Sequence, residues 1–206
     1  MATVQNVPLS PRAKQSFNQR FKPRYEKYLN AVKQTVLMIL VWGPGAGAHD
    51  QYGKRVFAKR QQIRDELRRR GQAAFFSEEL ERSVKTPGQS LKAIEFAQAQ
   101  SADLIVVMDA SYGSVAEVHD FASARVVNYK MLIFIDESAK DGYSYRGALK
   151  DLNDAYDNVK TYKYPEDIVE CHLLTKIMKK VDALQRLAHY EETSKRRRKT
   201  VPPEAT

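Results

Sequence analysis

Residues 103–122 read DLIVVMDASYGSVAEVHDFA. After Asp103 come five apolar residues, Leu104 to Met108, with no polar alternation. A run of that kind is a strand buried on both faces, as in a parallel sheet. The loop 109–114 (DASYGS) is short, polar and rich in Gly and Ser. From Val115 to Val127 the apolar residues take helical spacing. Strand, tight loop and helix in this order make up most of a βαβ unit.

The pattern repeats on both sides. Residues 35–42 (TVLMILVW) form a continuous apolar run that ends in Gly43-Pro44-Gly45. The charged stretch 52–70 follows, with Val56, Ile63 and Leu67 at helical spacing, Phe57 beside them and Gly71 placed as a C-terminal cap. Residues 72–77 (QAAFFS) are a second strand, followed by an acidic turn at 78–81 and by Thr86-Pro87-Gly88. Residues 90–101 are helical through Leu91, Ile94 and Ala97. Residues 130–135 (KMLIFI) are a further strand and 147–156 a short helix. Residues 159–164 (VKTYKY) alternate like an edge strand. Pro165 suits the first position of a last helix over 166–190, with Cys171 inside it as a packing residue. The expected fold is α/β, a mostly parallel sheet of four or five strands covered by helices on both faces. An N-terminal helix over 12–34, kinked or broken at Pro23, and the long C-terminal helix complete it. The expected organisation is a helical arm over 1–34, the α/β domain over 35–190 and a basic, disordered tail over 191–206.

The chain has 206 residues and a formal net charge of +9. Residues 1–34 carry seven Lys or Arg and one acid, and residues 195–206 carry five and one. The body between them is close to neutral, so the basic excess lies at the two ends. That body has no net-charge signature of a nucleic-acid-binding domain. The single cysteine excludes an intrachain disulfide and a Cys-based zinc site within the chain. The longest apolar run is too short for a bilayer, and the N-terminus lacks the apolar core of a secretory signal. A cytoplasmic protein without membrane contact is expected, with no metal and no cofactor.

In open parallel sheets ligands bind beyond the carboxyl ends of the strands. Three loops qualify: 43–52, 77–81 and 109–117. In the third, Ser111 and Ser114 offer hydroxyls, the loop offers amide N–H groups, and the helix start favours a phosphate or oxyanion. Glu117 points to the same crevice. Ser114 and Glu117 also match an S-x-x-E capping box, which would hold Glu117 in place. Gly43 and Pro44 open the first loop without a phosphate-loop motif. Among the acids, Asp109 ends a central strand, and Glu78 and Glu79 follow another. Lys54 and Arg55 could meet a phosphate, or form a solvated face paired with Asp65 and Glu66.

The element D-L-I-V-V-M-D-A-S-Y-G-S-V-A-E resembles the nucleoside 2-deoxyribosyltransferase-like superfamily and its TIR-like relatives. There, a strand leads into S-x-G-[ST]-x-x-E with the Glu as the catalytic carboxylate. The matching residues are Asp103, Asp109, Ser111, Gly113, Ser114 and Glu117. The order of the first strand, the basic helix and FFSEE agrees, and the likeness covers roughly residues 35–140. It implies a flavodoxin-like three-layer sandwich and an enzyme that hydrolyses or transfers at an N-glycosidic bond of a nucleoside, nucleotide or NAD-like dinucleotide. Glu117 would stabilise or attack an oxocarbenium-like centre, with Asp109 serving the departing base. Gly43, Pro44, Arg55, Glu79, Ser111, Tyr112, Gly113 and Ser114 would bind substrate. An effector in bacterial defence fits the likeness. The alternatives are a non-catalytic nucleotide-binding or scaffold module associating through its terminal helices, as a homo-oligomer or with a protein partner, and contact with nucleic acid through the basic tail.

Overall fold

The computed structural model describes residues 10–81, 90–142 and 145–200, and for Tyr112 and residues 195–200 only the backbone. The expected turn at Thr86-Pro87-Gly88 and residues 201–206 of the basic tail lie outside the described residues. The chain divides into two units, Val36–Leu184 and a helical unit formed by residues 10–35 and 185–200 of the described chain.

In the first unit five strands form one parallel sheet: β1 (Met38–Trp42), β2 (Ala73–Phe75), β3 (Leu104–Asp109), β4 (Met131–Asp136) and β5 (Val159–Tyr162), in the order β2-β1-β3-β4-β5. Continuous apolar runs make this sheet because both faces are covered. Leu40 and Trp42, Ile105 and Val107, and Ile133 and Ile135 face one side. There they pack against Ala99 of α5 (Leu91–Ser101) and Val118 and Phe121 of α6 (Tyr112–Ala122). Alternate residues such as Ile39, Val41 and Val106 point to the other face. There α3 (Gln51–Arg69) buries Val56, Ile63 and Leu67. β5 is an edge strand, as expected, although its burial does not alternate: Val159 and Tyr162 are buried while Lys160 and Thr161 between them are half-buried.

Local chemistry sets the ends of α3. Asp50 is its N-cap, accepting from the Gly53 amide at 2.6 Å. At the other end Gly71 has φ +80°, and the amides of Gly71 and Gln72 close on the carbonyls of Arg68 and Leu67. Asp50→Ala is expected to cost about 1 kcal/mol. A shifted urea midpoint with an unchanged slope would show it.

Several boundaries differ from expectation. The acidic turn after β2 is a short helix, α4 (Ser77–Glu81). The helix expected over 115–127 starts earlier and breaks at Ser123, giving α6 and α7 (Arg125–Asn128). After α8 (Lys150–Tyr156) and β5, Pro165 caps a short α9 (Glu166–Val169) instead of opening the last helix. The chain is extended at Glu170 and restarts as α10 (His172–Thr200), which runs past Tyr190 into the stretch expected to be disordered. Cys171 falls in that break and is exposed, so it is not a core residue.

In the helical unit α1 (Pro11–Ser16) passes through a π-helical turn at Phe17–Phe21 into α2 (Lys22–Lys33). The widened turn absorbs Pro23, which has no N–H and would clash with the preceding turn of a regular helix. The aromatic rings stack in sequence, Phe17 on Phe21 at 5.1 Å and Phe21 on Tyr25 at 5.6 Å. Gln185 Nε2 donates to Thr35 O at 2.7 Å within the same unit. Among the described residues no helix is long and apolar enough to cross a membrane.

Candidate active site

The strand order reverses direction between β1 and β3, so their carboxyl ends part and leave a crevice. Gly43 follows β1 with φ +148°, and a Cβ there would lie 3.0 Å from Met108 Cβ and 3.1 Å from Met108 O. Only glycine lets β1 leave the sheet this close to β3.

The crevice has two adjoining parts that share Gly45. The larger, about 790 Å³, is lined by Pro44, Tyr52, Asp109 and Ser111 among others. The smaller, about 540 Å³, is lined by Gly43, Arg60, Phe76, Glu78, Glu79 and Glu117 among others. The structure therefore gathers Gly43, Pro44, Glu79, Asp109, Ser111 and Glu117 around one crevice. Arg55 stands apart, in a cleft with Pro165 and Ile168, its guanidinium 6.0 Å from the Tyr164 ring. Gly113 is exposed in the first turn of α6, and the Tyr112 side chain lies outside the described residues. Asp103 sits at the opposite edge of the sheet, where it accepts from the Met38 amide at 2.8 Å.

The start of α6 differs from the expected capping box. Ser111 is the N-cap and Ser114 its reciprocal partner. Ser114 Oγ accepts from the amides of Ala110 and Ser111 at 3.2 and 3.0 Å, and the Ser114 amide donates to Ser111 Oγ at 3.2 Å. The Ala110 and Ser111 amides are therefore spent within the loop and are not open to an oxyanion. Glu117 is released from capping. It lies a turn further along, half-buried, and makes no hydrogen bond or ion pair with the described residues.

Burial pushes the Glu117 carboxyl up to about 8, with Glu95 and Glu78 raising it further and Arg60 opposing them. Asp109 is also raised by burial, against the Ser114 hydroxyl and His119. Glu95 of α5 is raised by burial and by Glu81 and Asp120. Glu78 accepts both terminal nitrogens of Arg60 at 2.9 Å, and Glu79 accepts from Arg64 and Arg68 at 2.9 Å and from the Phe76 amide. Tyr52, which lines the larger part, shares a hydroxyl hydrogen bond of 2.8 Å with Tyr162 in the core behind it, and burial raises both phenols.

A stability consequence follows. The folded chain holds the Glu117 proton up to about pH 8, whereas an unfolded Glu releases it near 4.5. Between those values rising pH favours the unfolded chain, by up to about 1.4 kcal/mol per pH unit. Melting temperature should fall from pH 5 to 8 more steeply in the wild type than in Glu117→Gln. Equal slopes would contradict the assignment.

Arg60, Phe76, Tyr52 and Glu95 were not anticipated. Glu95 lies four residues after Leu91 in the helical stretch 90–101, a weak signal, and Arg60 lies within a basic run that hides it. His172, which shows no metal spacing in the sequence, is brought between Asp167 and Glu170 at 3.1 and 3.3 Å by the break before α10. These three are the residues in the described chain that could hold a cation together, and they already pair with one another.

No curated protein matches the chain. The family model of the STM3845 retron effector protein matches residues 57–201. That span covers well over half of the sequence. It runs from within α3 through β2–β5 and includes Asp109, Ser111, Ser114 and Glu117, while β1 and the Gly43–Gly45 loop precede it. The chain with this parallel sheet and this buried carboxyl therefore belongs to the STM3845 retron effector protein family.

Proposed function

We propose that the chain is a bacterial defence effector that breaks the N-glycosidic bond of a nucleoside, nucleotide or NAD-like dinucleotide, with Glu117 as the reacting carboxyl. One observation carries the reading: a carboxyl freed from capping stands at the β1/β3 crevice with its protonation displaced to about 8. A carboxyl displaced by burial and by specific charged neighbours in a cleft is the kind of group that reactive sites are built on. The family match and the likeness of residues 103–117 to the nucleoside 2-deoxyribosyltransferase-like superfamily support it.

At neutral pH Glu117 enters the reaction with its proton. As the C1′–N bond breaks, the electron pair leaves with the base and the Glu117 proton moves to the base nitrogen. The carboxylate that remains faces the oxocarbenium-like sugar and stabilises its charge. Water, or a second base in transfer, then bonds to C1′ and returns a proton to Glu117. Asp109 and Ser111, in the adjoining part, hold the substrate.

The leaving group decides the sign of the pH dependence. A base that needs a proton gives a rate falling through about pH 8, whereas a pyridinium base, which needs none, gives a rate rising through it. The test is incubation of the full chain with nucleosides, nucleotides and NAD, followed by chromatography for free base. Absence of release from every substrate would count against the reading, as would a rate flat between pH 6 and 9.

Partner contacts are proposed at the ends of the chain. The exposed rings Phe17, Phe21 and Tyr25 in the basic arm suit a second copy or a protein partner. The stretch KRRRK at 195–199 suits a phosphate backbone. Deleting residues 195–206 should remove salt-sensitive DNA or RNA binding, and unchanged binding would exclude the tail.

A further inference from the structure

Arg60 is 2% exposed although it stands in the run KRVFAKRQQIRDELRRR. Its Nε donates to Val41 O at 2.9 Å and its Nη1 to Pro44 O at 3.1 Å. These two carbonyls bracket Gly43, whose Cβ position lies 3.4 Å from Arg60 Cδ. Nη1 and Nη2 both reach Glu78 at 2.9 Å, and the guanidinium lies 4.0 Å from the centre of the Phe76 ring. The second hydrogen on Nη2 has no acceptor among the described residues, and Arg60 lines the same cleft as Glu117.

A buried ion pair is weak evidence for stability, because an apolar pair of similar volume often serves as well. A charge kept at this place calls for another reason. We infer that Arg60 is the positioning residue of the Glu117 site, holding the Gly43–Gly45 turn against the cleft and keeping one positive charge beside the Glu117 carboxyl. Glu117 is otherwise faced by acids, Glu95 from α5 and Glu78 from α4, while Glu79 and Arg64 line the same cleft. Arg60 is the cation that opposes them. The catalytic consequence rests on the proposed function, but the electrostatic part does not.

The test is a carbon-13 NMR titration of the glutamate side-chain carboxyls in the full chain, with Glu117 assigned by its loss in Glu117→Gln. Arg60→Met is expected to move the Glu117 midpoint up by roughly half a pH unit or more. Glu78→Gln, which retains the Arg60 bonds to Val41 and Pro44, is expected to move it down. The pH limb of base release should move in the same directions, with kcat at least about tenfold lower in Arg60→Met. If Arg60→Met does not fold, Glu78→Gln decides alone. Midpoints unchanged in the folded variants would overturn the assignment. Midpoints that move with no base released by any protein would uphold Arg60 and remove the glycosidic reading. Base release with fixed midpoints would do the reverse.

Discussion

Glu117→Gln is expected to lower base release by about a thousandfold or more while leaving the fold intact. The amide has nearly the same volume and hydrogen-bonds as readily as the neutral carboxyl that burial favours at pH 7. The cap of α6 is untouched, because Ser111 and Ser114 make it without Glu117. What disappears is a proton that can move to the base and a carboxylate that can face the sugar. Circular dichroism should match the wild type, melting temperatures should agree near pH 5 with the variant the more stable at pH 7, and initial-rate assays should show the loss in kcat. A variant that unfolds, or one that keeps its rate, would remove Glu117 from the chemistry.

Gly43→Ala should have the largest effect on stability, at about 3 kcal/mol. A methyl group at this position meets Met108 Cβ at 3.0 Å and Met108 O at 3.1 Å, while φ +148° is itself strained for alanine. Both contacts lie at the end of β3, a central strand, so relief requires β1 and β3 to separate. That movement would also shift the carbonyls of Val41 and Pro44 that Arg60 holds. Urea unfolding should show the lost stability, and any remaining activity should fall with it. Gly71→Ala is the comparison, since its φ of +80° is strained but nothing lies within 4 Å of the added carbon. A smaller loss there separates backbone strain from the collision.

The sheet was legible because β1, β3 and β4 are continuous apolar runs, each ending in a glycine, a polar loop or an acid. The order of strands and helices then leaves few topologies. The crevice was legible for the same reason, since the loops after β1, β2 and β3 must share one edge. Helix ends were less so. Residues 166–190 carry an unbroken apolar period, yet the chain is extended at Glu170, and local spacing does not reveal such a break. The cap of α6 was ambiguous because Ser111-x-x-Ser114 and Ser114-x-x-Glu117 both fit. The earlier pair prevails because Ser114 also satisfies the amides of Ala110 and Ser111 as the chain leaves β3. Arg60 was hidden by its neighbours. Of the basic residues on α3, Lys59 and Arg60 are buried, and the place of Arg60 is set by the Val41 carbonyl of β1 and by Glu78, which only the folded chain brings within reach.

The most direct measurement of the central claim is a structure of the Glu117→Gln protein with an uncleaved substrate from the base-release panel. The account predicts the sugar in the crevice between Gly43 and Ser111, with the side chain at position 117 within about 3.5 Å of C1′. A substrate bound elsewhere, or with that side chain more than about 6 Å from C1′, would contradict it.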